Sequence, residues 1–133
     1  MKKIIPELFL EKATECKDKI AFYYFDQTWK EITYSELLNN TKCIASNLIK
    51  NGIHKGDRVA IISENRPEWC TAYLAVSLSG GIAVPIDAQL GPDEIKNLLV
   101  DSETKVVFHS SKTEENVRKA VNEIITRYSL FIR

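Results

Sequence analysis

GDRVAIISENRPEW, residues 56–69, is the stretch of sequence that decides the fold. Its four consecutive apolar residues, 59–62, do not alternate with polar ones, and this favours a strand that is covered on both faces. The Gly-Asp pair before them predicts a turn. Asn65 is expected to cap a helix that carries Pro67 in its first turn, where the missing N–H costs nothing. A buried strand followed at once by a helix is the beginning of an α/β unit.

The alternation of helix and strand continues on both sides of this stretch. Apolar spacing predicts helices over 5–16 and 34–51, a hairpin over 20–32, a helix to about residue 79, strands at 82–84 and 105–108, and helices from Pro92 and near Ser111. Strands that alternate with helices predict parallel strands joined by right-handed crossovers. We therefore expect a doubly wound, mostly parallel α/β sheet flanked by helices, preceded by an N-terminal helix and hairpin, in one domain over residues 1–133.

Local signals mark several helix ends. Thr33 with Glu36, and Ser111 with Glu114, have the spacing of a capping box at a helix start. Gly52 is expected to end the helix before it in the left-handed conformation. Residues 80–81, the one glycine pair of the chain, are interpreted as a helix stop followed by close backbone packing, rather than as a phosphate cradle.

Composition limits the classes of function. The 133 residues include 18 basic and 18 acidic side chains, and this balance argues against a nucleic-acid surface or a polybasic membrane patch. No run of about 18 apolar residues is present to span a membrane. The three cysteines, Cys16, Cys43 and Cys70, form no CxxC pair, and with only two histidines no metal cluster is indicated. Reduced thiols and a cytoplasmic location are therefore expected.

Motifs that would carry chemistry are absent from the sequence. It contains no GxGxxG, no GxxxxGK[ST] and no GxSxG. Acidic residues that could be imagined as catalytic pairs are interpreted as helix-start or turn residues; they are Glu64, Glu68, Asp87, Asp93 and Glu94. The aromatic residues at 22–25 and 29 lack interleaved basic residues, so hairpin packing explains them better than base stacking.

Asn65, Arg66 and Trp69 are the best candidates for touching a ligand. They follow the carboxyl end of a central strand, where open α/β sheets place their ligands. Their structural alternatives, a helix cap for Asn65 and a core position for Trp69, stay open at this point and are favoured over a binding role.

Five ordered segments carry a resemblance to a known family: residues 33–37, 56–61, 65–69, 80–87 and 101–108. Together they resemble the amino-terminal region of AMP-forming adenylating enzymes, in particular long-chain acyl-CoA or acyl-carrier-protein synthetases. The resemblance covers about residues 5–118. Gly91 departs from it, standing where relatives often carry Thr or Asn before a helix. The tail, 125–133, does not fit the pattern, and we expect its apolar residues to cover a sheet edge.

The resemblance implies a two-step reaction, in which ATP and a carboxylic acid, here a fatty acid, give an acyl-adenylate that then passes to the thiol of CoA. It implies ATP, Mg²⁺ and CoA as cofactors of such an enzyme, although firm binding to these 133 residues is not expected. In relatives the phosphate loop, the adenine and ribose contacts and the catalytic Lys come later in the chain. No catalytic, cofactor-binding or metal-binding residue is therefore assigned, and residues 1–133 are expected to be inactive alone.

Two alternatives remain open. One is a standalone small α/β module that binds a partner protein or a nucleotide. The other is a structural piece that completes an enzyme encoded by a second chain. Exposed apolar surface on a part of a larger sheet would also favour self-association.

Overall fold

The computed structural model describes residues 3–124 and 129–131, with side chains over residues 3–124. In chain order its elements are α1 Ile5–Glu15, β1 Ile20–Asp26, β2 Thr28–Thr33, α2 Tyr34–Lys50, β3 Arg58–Ile62, α3 Pro67–Leu78, β4 Ile82–Ile86, α4 Pro92–Asp101, β5 Val106–His109, α5 Glu114–Asn122 and β6 Ser129–Phe131. The predicted α/β fold, with its opening helix and hairpin, is confirmed. None of the helices in the described ranges is long and apolar enough to cross a membrane.

The strand order identifies the topological switch point of the sheet. β3 pairs with β4 on one side and with β5 on the other, and β6 continues beyond β5, all in parallel. The chain first moves outward from β3 to β4 and then returns across β3 to β5. The direction of winding therefore reverses between β3 and β5, which is where doubly wound sheets leave a crevice.

Alternate residues of the strands build a core on each face of the sheet. On one face α2 and α3 pack over Val59, Ile61, Val106 and Phe108. The residues between them, among them Ala60, Ile62 and Val107, pack against α4 and α5 on the other face. This is the covering on both faces that the unbroken apolar run 59–62 predicts.

One predicted capping box is present and two predicted helix starts are wrong. The Thr33 hydroxyl accepts a hydrogen bond from the Glu36 amide. The Glu36 carboxylate in turn accepts a hydrogen bond from the Thr33 amide at 2.8 Å. Asn65 does not cap α3, because Arg66 occupies the cap position in extended conformation. Ser111 is not a cap either. The cap position of α5 belongs to Thr113, whose hydroxyl instead donates to the Ile62 carbonyl at 2.8 Å.

The glycine pair after α3 has the predicted structural role. Gly80 adopts a φ of +82°, a left-handed conformation that ends the helix. An added Cβ at Gly81 would lie 3.2 Å from both the Asp57 carbonyl oxygen and the Val76 side chain. The chain therefore turns tightly here and brings β4 directly alongside β3.

The hairpin forms a separate two-stranded antiparallel sheet. Phe25 and Trp29 face each other across it, with their rings edge to face at 5.7 Å. Both rings are exposed, as is Tyr23, whereas Phe22 and Tyr24 point toward the body of the protein and are half-buried. Hairpin packing therefore explains part of the aromatic run and leaves one aromatic face open.

β6 is an addition to the sheet that the sequence did not predict. It pairs with the outer edge of β5, from Val106 opposite Ser129 to Phe108 opposite Phe131. The expectation that the tail covers a sheet edge is met by the backbone of residues 129–131. Residues 125–128 and 132–133, which the same expectation included, lie outside the described residues.

Candidate functional site

A cleft of about 350 Å³ opens at the switch point, beside the carboxyl ends of β3 and β5. Its floor is apolar and comes from Ile61, Ala72 and Phe108. Its polar lining residues are Ser63, Arg66, Glu68, His109, Ser110, Ser111 and Glu114, with Trp69 forming one wall. By position this cleft, called here the switch-point cleft, is where an α/β sheet of this kind would bind a ligand.

Two strand-end loops are joined across this cleft. The buried hydroxyl of Ser110 donates to the Glu64 carboxylate at 2.6 Å. This bond to the charged form holds the pKa of Glu64 below its usual range. The amide of Ser110 and the hydroxyl of Thr113 both donate to the Ile62 carbonyl. The end of β3 and the loop after β5 are thus fixed together.

Arg66 contributes a positive charge to the lining of the cleft, and nearby carboxylates already balance that charge. Its Nε donates to Glu68 at 2.7 Å, and its Nη1 lies 3.6 Å from the Glu64 carboxylate. The bond to Arg66 keeps the pKa of Glu68 low, and Glu68 in turn raises the pKa of Arg66. Glu114, also in the lining, is paired with Arg118 at 2.7 Å. The charges of Arg66 and of the three glutamates at the cleft are therefore each met by an opposite charge.

The three residues proposed from sequence lie together, although not all in the switch-point cleft. Asn65, Arg66 and Trp69 line a second cavity of about 280 Å³, between α3 and the inner face of the hairpin. Arg66 and Trp69 also line the switch-point cleft, and Asn65 does not. Trp69 stacks on Tyr73 at a centroid distance of 5.6 Å and packs against the core. Trp69 is half-buried and also lines both cavities, so it combines a packing position with access to the cleft.

The other acidic residues considered from sequence have structural positions. Asp87 accepts the amide of Gln89 at 2.9 Å and so fixes the turn after β4. Asp93 and Glu94 lie in the first turn of α4, where Glu94 accepts the amide of Gly91 at 3.0 Å. Among residues 3–124, no three His, Cys, Asp or Glu side chains are placed so that they could hold a metal ion.

Sequence reasoning missed the contribution of the loop after β5. His109, Ser110 and Ser111 line the cleft opposite Arg66. A signal for them was available, because they directly follow the predicted strand 105–108, just as Asn65 and Arg66 follow β3. What the sequence did not reveal is the strand order, which makes β5 rather than β4 the neighbour at the crevice.

Comparisons with known proteins show which family the chain belongs to and which part of its relatives it matches. The sequence profile described as "AMP-binding enzyme" matches residues 9–130. The chain is 37% identical over 105 residues to 4-hydroxybutyrate–CoA ligase 2 of Metallosphaera sedula, a match that covers 78% of this chain and 19% of the relative. The chain thus spans about a fifth of the length of that curated relative.

Two solved structures support the same assignment. The N-terminal domain of FACL13 from Mycobacterium tuberculosis superposes with a TM-score of 0.87 at 26% identity, over 98% of this chain and 34% of that one. The Mycobacterium tuberculosis fatty acyl CoA synthetase superposes with a TM-score of 0.82 at 27% identity, over 91% and 24%. The match to the family profile reaches residue 130, so the interpretation that the resemblance ends near 118 is wrong.

Proposed function

The chain belongs to the AMP-binding enzyme family, and we propose that it forms the amino-terminal scaffold of an ATP-dependent acyl-CoA synthetase acting on a carboxylic acid of the fatty-acid type. The observation that carries this proposal is the superposition of 98% of the chain on the N-terminal domain of FACL13. The likeness to a fatty acyl CoA synthetase supports the substrate class. We further propose that residues 1–133 act as a single α/β unit, in the cytoplasm.

The reaction proposed for the whole enzyme needs strong charge stabilisation. A carboxylate attacks the α-phosphorus of ATP and pyrophosphate leaves. The CoA thiol then attacks the acyl carbon of the acyl-adenylate, the acyl–phosphate bond breaks, and AMP leaves as the thioester forms. Mg²⁺ and cationic side chains balance the phosphate charge of such steps. No role toward ATP or Mg²⁺ is assigned to the described residues, because the Arg66 guanidinium is paired with Glu64 and Glu68 and no three His, Cys, Asp or Glu side chains of residues 3–124 come together. We derive no catalytic step from this part of the protein.

What these residues contribute to the proposed enzyme is therefore rigidity and one wall of a larger site. The hydrogen bonds from Ser110 and Thr113 hold the ends of β3 and β5 in place. Arg66 orders the start of α3 through Glu68. A fixed edge of this kind can position neighbouring parts of an enzyme, since catalytic geometry is sensitive to displacements of about 1 Å.

A chimaera tests the proposal. The segment of 4-hydroxybutyrate–CoA ligase 2 that matches this chain is replaced by the corresponding residues of this protein, and acid-dependent ATP–pyrophosphate exchange is measured with 4-hydroxybutyrate. We expect exchange by the chimaera and none by residues 1–133 alone. The parent ligase is the positive control. Robust exchange by residues 1–133, or a folded chimaera without exchange, would contradict the proposal.

A standalone binding module is the second candidate function. The position of the switch-point cleft, with the edge of Trp69 in its wall, favours it. Calorimetric titration of residues 1–133 with ATP, AMP and CoA tests this candidate. Saturable binding that is weakened by Trp69→Leu would support it, whereas heats of dilution alone would exclude these three ligands.

A further inference from the structure

We propose that the outer face of the β1–β2 hairpin binds a proline-rich peptide segment that carries a basic residue. This surface, called here the aromatic face, consists of Tyr23, Phe25, Trp29 and Glu31. Its three rings are 64%, 65% and 73% exposed. None of them lines the switch-point cleft, so the binding is separate from the proposed synthetase reaction.

The pairing of the two strands brings these side chains to one surface. Tyr23 and Phe25 share one face of β1, whereas the aromatic residues that alternate with them are half-buried on the other. In the antiparallel register Trp29 lies opposite Phe25, and Glu31 lies opposite Tyr23. The aromatic face is therefore a continuous surface made of two neighbouring cross-strand pairs.

The opposite face of the hairpin holds this surface in place. Phe22 and Tyr24 lie over the start of α3 and line the cavity of about 280 Å³ together with Trp69. Ile32, on the same side of β2, is also half-buried. A ligand therefore meets a surface whose backbone is already ordered, and this lowers the entropic cost of binding.

The geometry of the rings indicates the shape of the ligand. Phe25 and Trp29 stand edge to face, with their planes 70° apart and their centroids separated by 5.7 Å. Rings inclined in this way offer no common plane on which successive bases or sugars could stack. They form an angled apolar surface instead, and surfaces lined by aromatic rings receive the ridges of a polyproline II helix.

The charge of the aromatic face indicates the second property of the ligand. Glu31 is exposed there, whereas the other charged residues of β1 and β2, Asp26 and Lys30, lie on the opposite face and pair with each other. An acid beside apolar rings attracts a lysine or arginine of the ligand. It also disfavours anionic partners such as nucleic acids.

The size of the aromatic face favours a short segment over a folded partner. Three aromatic side chains, each about two-thirds exposed, present roughly 300–500 Å². A stable complex of two folded proteins buries about 800 Å² on each partner. The aromatic face is therefore too small to hold a second copy of this chain by itself, but it suits the few residues of a linear peptide.

An oligoproline peptide that ends in arginine is the probe, because oligoproline forms the polyproline II helix without a partner. One matched peptide ends in glutamate, and another replaces the prolines by a glycine–serine repeat. In a Trp69→Phe background Trp29 is the single tryptophan, so its fluorescence reports occupancy of the aromatic face. We expect a saturable change with the arginine peptide, about threefold weaker affinity for the glutamate peptide and no change with the glycine–serine peptide.

Three variants locate the contact by calorimetric titration. Glu31→Lys should invert the preference between the arginine and glutamate peptides. Trp29→Ser should weaken binding of the arginine peptide about tenfold, since a large apolar contact is lost. Ile82→Ser removes an exposed apolar side chain from the separate parallel sheet and should leave the affinity unchanged. Each altered residue is exposed, and circular dichroism checks that each variant is folded.

Several results would overturn the proposal. They are failure of the arginine peptide to bind at millimolar concentration, equal binding by folded Trp29→Ser, and an unchanged charge preference in Glu31→Lys. Self-association that requires Trp29, without peptide binding, would make a second copy the occupant. Flotation with phosphatidylcholine vesicles that requires Trp29, without peptide binding, would make it a bilayer. These measurements use neither ATP nor acid, so their outcome is independent of the chimaera experiment.

Discussion

The Ser110 hydroxyl donates to the Glu64 carboxylate over 2.6 Å and thereby connects the loops that follow β5 and β3. Ser110 is 6% exposed, so the bond lies largely out of water. Glu64 also faces Arg66, which extends the connection to the start of α3. This hydrogen bond therefore joins the two loops that border the switch-point cleft.

Replacing Ser110 with alanine should lower the free energy of unfolding by about 1–2 kcal/mol, because a hydrogen bond to a charged group is lost. It should also raise the pKa of Glu64 toward its usual range. Urea unfolding measures the first effect and an NMR titration of the Glu64 carboxyl the second. Ser111→Ala is the control, since Ser111 is exposed beside it in the cleft. Equal behaviour of the two variants would contradict the role given to Ser110.

The glycines at 81 and 91 should respond differently to the same substitution. Gly81→Ala would force a Cβ to within 3.2 Å of the Asp57 carbonyl and Val76, and we expect a loss of about 1–3 kcal/mol. Gly91→Ala meets its nearest atom at 3.7 Å at an ordinary φ of −76°, and the entropy gained in the unfolded chain offsets the poorer cap that alanine makes for α4, so a change of less than about 0.5 kcal/mol is expected. Thermal and urea unfolding of the pair tests this. A destabilised Gly91→Ala would show that α4 needs glycine at its cap.

A second matched pair concerns two buried threonines. The hydroxyl of Thr41 has no hydrogen-bond partner in the described structure, although the residue is fully buried. Thr41→Val keeps the shape and removes that hydroxyl, so we expect stabilisation of about 1 kcal/mol. Thr71→Val removes a hydroxyl that donates to the Pro67 carbonyl at 3.0 Å and should destabilise. Denaturant midpoints that move in the same direction for both variants would contradict this assignment.

The free energy of unfolding should depend on pH because of Asp57. Lys105 approaches its carboxylate to 2.6 Å and the His54 amide donates at 2.8 Å, and these bonds hold the pKa of Asp57 below its usual range. A carboxylate whose pKa is lowered by folding stabilises the protein at pH values above the ordinary Asp pKa of about 4. This stabilisation is lost as the pH falls through the lower pKa of the folded protein.

The difference in stability between the wild type and Asp57→Asn should therefore be largest near neutral pH and should shrink below about pH 4. Denaturant unfolding at a series of pH values measures it. Asp101→Asn, at an exposed position at the end of α4, is the control. A difference that stays constant from pH 7 to pH 3 would exclude Asp57 as the group responsible.

Much of the fold could be predicted because short stretches of sequence determine individual strands and helix ends. The apolar run 59–62 indicates a strand with two covered faces, and the Thr33–Glu36 box is present at α2. The wrong start of α5 has a tertiary cause. The hydroxyl of Thr113, the residue at the cap position, donates to the Ile62 carbonyl, and a local capping pattern carries no information about such a contact. At α3 the start differs from the prediction by one residue, from Asn65 to Arg66.

Only about half of the residues that line the candidate site could be predicted from the sequence. Arg66 and Trp69 were found from their position after β3, whereas His109 and Ser110 required knowledge of which strands are neighbours. The balance of charge around Arg66 was also out of reach, because distances of 2.7 Å and 3.6 Å to two glutamates cannot be read from spacing.

The central place of β3 has a consequence for biosynthesis. β3 is the first strand of the parallel sheet to leave the ribosome, yet both of its hydrogen-bonding edges wait for strands made later, β4 and then β5. At about 5–20 residues per second, the second partner follows only after a few seconds. For that interval an apolar strand of the nascent chain has an unpaired edge, which is a surface that can pair with another chain.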